Sequence, residues 1–339
     1  MITDSEKLES VSIVIPVYNE EKYIIEFLNS ILRQDYVSEK IEIIFVDGNS
    51  SDRTVELINK KMVGSVFKYK ILSNIDRVTP KSVNIGIKEA KNDIIIRLDA
   101  HSEYPINYIS KCVYYLNNMD ADNVGCISKA SGKTKVGKAI ANVVSSKFGV
   151  GNSSFRIESE SRYVDTVPFG TFRKKLFSKI GYFNEELIRS EDNEFNYRIR
   201  KNGGKIYLFN DICTTYYPRD TIAKLMKMGF QNGKWATYTG YIIPGSMGIR
   251  HFIPLIFVVG LLLGTIITVL HLKILTIAFV SVLIVYTIID FIFSVRNVKK
   301  DGVSQCISFF IYPLFHVSYG FGSILGTVKV LKKVVVKNE

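Results

Sequence analysis

Apolar and polar positions alternate in two rhythms along the first two-thirds of the chain. Short apolar runs, "VSIVIPV" (11–17), "IEIIFVD" (41–47), "YKILSN" (69–74) and "NDIIIRLDAH" (92–101), read as strands that each end on polar residues. In the last run Arg97 interrupts Ile94, Ile95, Ile96 and Leu98, a strand expected to be buried on both faces. Between the runs, "EKYIIEFLNSILRQ" places Ile24, Phe27, Leu28 and Ile31 at helical spacing. "RTVELINKKM" predicts a helix capped by Asp52, and "TPKSVNIGIKEAK" one with Pro80 in its first turn. Alternating strands and helices predict an α/β fold built on a mostly parallel sheet with covered faces. Its polar loops fall at the carboxyl ends of strands, where such sheets bind ligands. Beyond about Cys112 the rhythm loosens. "NVGCISKA" reads as a further strand and "SSKFGVGNSSFRIESES" as a flexible Gly/Ser loop. "RSEDNEFNYRIRKNGG" reads as a helix capped by Ser190, with Asp192, Phe195 and Ile199 on one face.

From His251 onward the pattern changes. Residues 252–270 carry no charge, and 274–293 carry one, Asp290. Each approaches the ~20 residues a helix needs to cross hydrocarbon, so two spans are expected, joined by the tight link "HLK". Asp290 is expected near the headgroups, wetted. A third run, 306–328, is interrupted by Pro313, His316, Gly320, Gly322 and Gly326; it spans, re-enters or lies at the interface. The expected organisation is a domain over 1–240 and a membrane region over 241–339.

The net charge of +12 does not point to nucleic acid, because of where it sits. Residues 250–339 hold nine Lys/Arg against three Asp/Glu, half of the excess. Arg250, Arg296, Lys299, Lys300, Lys329, Lys332, Lys333 and Lys337 flank the apolar runs, the pattern of cytoplasmic flanks meeting anionic lipid. That places the N-terminal domain on the cytoplasmic face of the cell membrane, and the basic C-terminus favours a third segment that does not span. "MITDSEKLES" does not read as a secretory signal. Cys112, Cys126, Cys213 and Cys306 show no paired spacing, which fits a reducing compartment and argues against structural zinc.

Asp99 and His101, spaced i, i+2 at a strand end, suit a hard divalent cation that takes one or two protein ligands and keeps the rest from phosphate and water. The imidazole tilts the choice toward Mn²⁺ over Mg²⁺; the plainer reading is a turn acid beside a surface histidine. Asp47 suits a base or ribose, or a turn. In the cluster Glu191, Asp192 and Glu194, Asp192 on the inward face suits a proton acceptor for a hydroxyl; acids in a first turn also simply favour the helix dipole. "FQNGKWAT" sets Gln231 and Lys234 beside Trp235, the only tryptophan. This suits a sugar or base stacked on the ring with Lys234 at a phosphate, and equally an interface tryptophan with a snorkelling lysine.

Taken together, these pieces resemble the family-2 inverting glycosyltransferases of GT-A fold, over about residues 10–240. "VSIVIPVYNEE" is similar to that family's first strand and loop, and "VDGNSSDRT" to its acidic nucleotide-binding turn. "RLDAH" stands where the family has Asp-x-Asp, "SEDNE" where it has its Glu-Asp pair, and "QNGKW" where it has Gln-x-x-Arg-Trp. "RLDAHSEYP", "FGVGNSSFR" and "VDTVPFGTFRKKLF" look most like the succinoglycan-biosynthesis glucosyltransferase branch, membrane-attached enzymes that extend a lipid-linked oligosaccharide. Two departures stand out: His101 replaces the second Asp, and Lys234 replaces Arg, removing a bidentate phosphate fork.

The resemblance implies roles. Pro16, Tyr18, Glu20, Asp47, Lys81, Asn84, Asp99, Gln231, Lys234 and Trp235 would bind a nucleotide-sugar, Lys81 or Asn84 approaching its diphosphate. Asp99 and His101 would hold Mn²⁺ or Mg²⁺. Asp192 would be the base, with Phe169, Gly170, Thr171 and Glu191 on the acceptor side. The partners implied are a nucleotide-sugar donor, a lipid-linked saccharide acceptor and membrane lipids, with no nucleic acid. The rivals are a transferase acting on a polyprenyl phosphate and a non-catalytic membrane adaptor. A nucleotidyltransferase or nicotinamide enzyme expects a Gly-rich loop after the first strand, and "VYNEEKY" has no glycine.

Overall fold

A computed structural model of the chain describes residues 8–157, 160–218, 220–296 and 302–338. They pack as two compact units, one comprising residues up to 128 with 158–216, the other 129–157 with 217 onward.

The first unit opens as the alternation predicts: β1 (Val11–Val17), α1 (Ile24–Leu32), β2 (Ile41–Asp47), α2 (Thr54–Met62), β3 (Lys68–Ser73), α3 (Thr79–Glu89) and β4 (Ile94–Arg97). It continues through β5 (Ser102–Glu103), α4 (Tyr108–Asn118) and β6 (Asn123–Ala130). After α5 (Lys135–Val144) and α6 (Lys147–Val150) of the second unit, it resumes with β7 (Arg162–Tyr163), β8 (Thr171–Arg173), α7 (Lys175–Ile180), α8 (Glu191–Lys201) and β9 (Ile206–Tyr216). The strands form one sheet in the order β3-β2-β1-β4-β8-β6-β9-β5, with β7 on β9. β3, β2, β1 and β4 are parallel; β8 runs antiparallel to β4 and so changes the sheet's direction. The chain steps from β1 to β2 on one side and returns to β4 on the other. The carboxyl ends of β1 and β4 are thus the switch point where open α/β sheets form a ligand crevice. Ile94, Ile95, Ile96 and Leu98 are fully buried, as a strand covered on both faces requires. α3 lies so close to the sheet that a Cβ on Gly86 would stand 2.4 Å from Val14.

The second unit is helical: α5, α6, α9 (Ile222–Ile242), α10 (Ile253–Val269), α11 (Lys273–Arg296) and α12 (Gly302–Asn338). It takes in 129–157 and the helix bearing Trp235, segments that the sequence pattern assigns to the first domain. The stretch expected as a flexible loop carries the turn α6, and of that stretch Glu158 and Ser159 lie outside the described residues. α9 and α12 meet through small residues. A Cβ on Gly233 would stand 2.0 Å from the Tyr319 carbonyl oxygen, and one on Gly322 would stand 1.9 Å from that of Phe230. Only glycine allows two helix backbones so near.

The apolar helices depart from expectation in three ways. Over 252–270 the chain forms a helix of 17 residues, ~25 Å at 1.5 Å per residue, somewhat short of ~30 Å of hydrocarbon. α11, with 24 residues, and the stretch 304–334 of α12 are long and apolar enough to cross a membrane. The third run is not interrupted: α12 continues through Pro313, and its glycines serve packing rather than breaking the helix. Asp290 is not wetted. It is 2 % exposed and accepts a hydrogen bond from Ser294 Oγ at 3.1 Å. Large apolar side chains cover the outer surfaces of α10 and α11, among them Ile256, Ile266, Ile274, Ile277, Val282 and Phe291. Lys299 and Lys300 lie outside the described residues, as does the side chain of Lys337.

Candidate active site

The strand tips build the site. After β4 the chain turns sharply at Asp99. The buried Tyr104 hydroxyl accepts from the Asp99 amide at 3.0 Å and lies 3.3 Å from its carbonyl oxygen. With its backbone fixed, Asp99 keeps its side chain at the surface, about a quarter exposed. His101 Nδ1 lies 3.2 Å from Glu20 Oε1, joining the loop after β4 to the loop after β1 across the switch point. A carboxylate on Nδ1 favours the tautomer that leaves the lone pair on Nε2, the usual arrangement behind a metal-binding histidine. The donor set, one carboxylate and one imidazole, therefore fits a Mn²⁺ or Mg²⁺ ion completed by phosphate and water. Among the described residues no group of three or more His, Cys, Asp or Glu could hold a metal by itself.

Arg97, the charge inside the apolar run, is 8 % exposed. Its Nη2 lies 3.5 Å from Asp99 Oδ1 and 3.3 Å from Glu191 Oε1. Burial disfavours its charge, but Asp99, Glu191 and Asp192 outweigh burial and hold the guanidinium above its ordinary range. α8 thus begins beside the tip of β4. Its first residue, Glu191, is buried; burial and then Asp192 push its carboxyl up to about 7, against the opposing pull of Arg97. Asp192 follows, half-buried, accepting from the Asn193 amide at 2.8 Å. Ser190 occupies the cap position, but its backbone is left-handed (φ 66°) and its hydroxyl makes no cap hydrogen bond, so the expected serine cap is absent.

The loops after β1 and β2 are laced together. Ser50 N and Oγ both donate to the Asp47 carboxylate, Oγ at 2.6 Å. The cap position of α2 falls on Arg53, without a side-chain cap, and not on Asp52 as expected; Asp52, one residue earlier, accepts from Thr54 N and from Glu21 N at 3.1 Å and so ties two loops. Glu20 N donates to Thr54 Oγ1. Pro16 is the last residue but one of β1, and Tyr18, 45 % exposed, has Arg77 over its ring. Asn19, Asn49 and Arg77, after β1, β2 and β3, all have positive φ, as do Phe169 and Ser190. Non-glycine residues held there concentrate at functional rims.

Other expected residues serve elsewhere. Asn84 is buried, and its amide bonds the Phe183 backbone in both directions and the Glu185 carboxylate; it clamps that segment to α3 rather than approaching a diphosphate. Lys81 is paired with Asp76. Phe169, Gly170 and Thr171 do not line a surface on the acceptor side. Thr171 is fully buried opposite Ile96, Phe169 packs on Tyr104, and Gly170 is wedged against Phe172 and Asn123. Gln231, Lys234 and Trp235 belong to the second unit, where Trp235 is buried and Lys329 Nζ sits over its ring, 4.1 Å from the centroid. Arg97 and Tyr104 stand at the site without being among the site residues that the sequence names. An arginine within a run buried on both faces was the available signal for the first; nothing marked the second.

This geometry has known counterparts. The glycosyl transferase family 2 profile matches residues 12–181. The chain is 31% identical over 231 residues to the dolichyl N-acetyl-alpha-D-glucosaminyl phosphate 3-beta-D-2,3-diacetamido-2,3-dideoxy-beta-D-glucuronosyltransferase of Methanococcus voltae, covering 66% of this chain and 71% of that one. It is 29% identical over 255 residues to the succinoglycan biosynthesis protein ExoA of Rhizobium meliloti, covering 74% and 77%. Among solved structures, the mannosyltransferase PcManGT from Pyrobaculum calidifontis, in complex with GDP-Man and Mn²⁺, superposes with a TM-score of 0.56 at 16% identity, over 96% of this chain and 88% of the other. S. aureus TarS 1-349 in complex with UDP-GlcNAc gives 0.52 at 19% identity, over 72% of each. The fold is GT-A.

Proposed function

The chain belongs to glycosyl transferase family 2, and from that premise we propose that it moves a sugar, with inversion, from a nucleotide-sugar to a saccharide carried on a membrane lipid. The observation that carries this reading is the convergence of Glu20, Asp99, His101, Glu191 and Asp192 on the carboxyl ends of β1 and β4. The M. voltae relative, named for a dolichyl-linked sugar phosphate, supports a lipid-linked acceptor. The apolar outer surfaces of α10 and α11 support attachment to the cell membrane, with the transferase domain on the cytoplasmic side.

Asp47, the last residue of β2, meets the nucleoside. Asp99 and His101 would hold a divalent cation. When bound, that cation supplies electrostatic stabilisation of the departing nucleotide. Asp192 takes the proton of the acceptor hydroxyl as its oxygen attacks the anomeric carbon. The bond to the diphosphate breaks on the opposite face, so one displacement inverts the anomer.

The test is a panel of UDP- and GDP-sugars with Mn²⁺ or Mg²⁺, offered a polyprenyl diphosphate-sugar or a bare polyprenyl phosphate in vesicles. Transfer to the diphosphate-sugar, with an inverted linkage, is expected. Transfer to the bare phosphate alone assigns the rival acceptor. No transfer or hydrolysis with any donor overturns the reading.

A further inference from the structure

Arg97 has no role in the chemistry above, yet it is the costliest residue in its strand. A guanidinium removed from water costs several kcal/mol unless well paired, and an apolar residue of similar volume is often better for stability alone. Its pairing is loose. One nitrogen, Nη2, reaches both Asp99 and Glu191, at 3.5 and 3.3 Å, instead of forking onto either. Nε is buried with no hydrogen-bond partner among the described residues. The two carboxylates are 92 positions apart in sequence, one at the tip of β4 and the other the first residue of α8. The turn carrying Glu191 and Asp192 lacks a serine cap.

We propose that Arg97 is a positioning residue that couples the donor and acceptor halves of the site. Its single shared nitrogen divides its attraction between Asp99 and Glu191. Drawing Asp99 toward a cation and diphosphate releases Arg97 to Glu191, which seats the first turn of α8 and with it Asp192. The inference rests on the roles assigned to Asp99 and Asp192 under the proposed function.

Three variants test it: Arg97→Lys, Arg97→Met, and Arg97→Met with Glu191→Gln. The double variant removes the guanidinium together with its buried partner and leaves only Asp99, a quarter exposed to water, without Arg97. Hydrogen exchange of amides 191–194 is followed on adding Mn²⁺ with UDP or GDP, and donor KM and kcat are measured separately. In the wild type, Mn²⁺ and nucleotide slow exchange in that turn. The double variant keeps the wild-type melting temperature and a donor KM within about threefold. It loses the exchange response, and kcat falls about 100-fold, the scale of a misplaced reacting group. Arg97→Lys restores part of both. A double variant turning over at the wild-type rate, or a wild type whose first turn of α8 ignores Mn²⁺ and nucleotide, overturns the coupling. Failure of the wild type on every nucleotide-sugar strikes the proposed function instead.

Discussion

Both units bury polar groups, but they hold them by different means. In the first, ionisable groups crowd together: buried Arg97 reaches buried Glu191 and the quarter-exposed Asp99 through one shared nitrogen, and burial pushes the Glu191 carboxyl up. In the second, the contacts along α12 are mostly neutral: Tyr312 donates to Ser146 Oγ at 2.8 Å, Asn142 to Ser308 Oγ at 3.2 Å, and His316 Nε2 lies 2.9 Å from the Phe148 carbonyl oxygen. Neutral hydrogen bonds at good distance suit a packed interior, because they fix a structure at little electrostatic cost. Crowded charge is expensive, and it concentrates where chemistry uses it.

Four measurements would break or sharpen that contrast. The largest effect is expected from Asp192→Ala, which should lower kcat by ~10²–10⁴ while nucleotide affinity stays near wild type; unchanged turnover would remove Asp192 as the base. In the second unit, Gly233→Ala should cost ~1–3 kcal/mol, because its methyl would meet the Tyr319 carbonyl oxygen, whereas Gly248→Ala, with nothing within 4 Å, should leave the melting temperature unmoved. Equal effects would show that the close approach of α9 and α12 does not matter.

Third, burial and Asp192 raise Glu191 from 4.5 to about 7, so the folded chain holds that proton where the unfolded chain has lost it. Stability should therefore fall as pH rises from about 4.5 to about 7 and then level off. Glu191→Gln should flatten that slope in melts across the range; an unaltered slope would mean that Glu191 is not its source. The smallest effect is expected from Lys329→Met, ~0.5–1 kcal/mol, with a shift in the emission of the single tryptophan. Unshifted emission would separate Lys329 from the Trp235 ring.

Much of the first unit is legible in its residues. Apolar runs ending in Asp47 and in Asp99 with His101 mark parallel strands and their ligand-facing tips, because period and end chemistry are local. Arg97 is visible as an interruption, but its partner lies 94 positions away and no local pattern names it. The capping role expected of Ser190 fails because its hydroxyl does not turn to the helix. Asn84 looks like a polar residue near a phosphate loop, yet the clamp on Phe183 exists only once α3 meets that segment. In α12, glycines that look like breaks are contact points for α9, a role that only the neighbouring helix reveals.

The two units also finish at different moments of synthesis. All strands of the sheet have left the ribosome once Tyr216 is out. α5 and α6, made well before that, have no α12 to lie against until Gly302–Asn338 has been made. For that interval their apolar side chains are candidates for chaperones or the bilayer surface, so the order of manufacture makes the second unit wait on α12 for its packing.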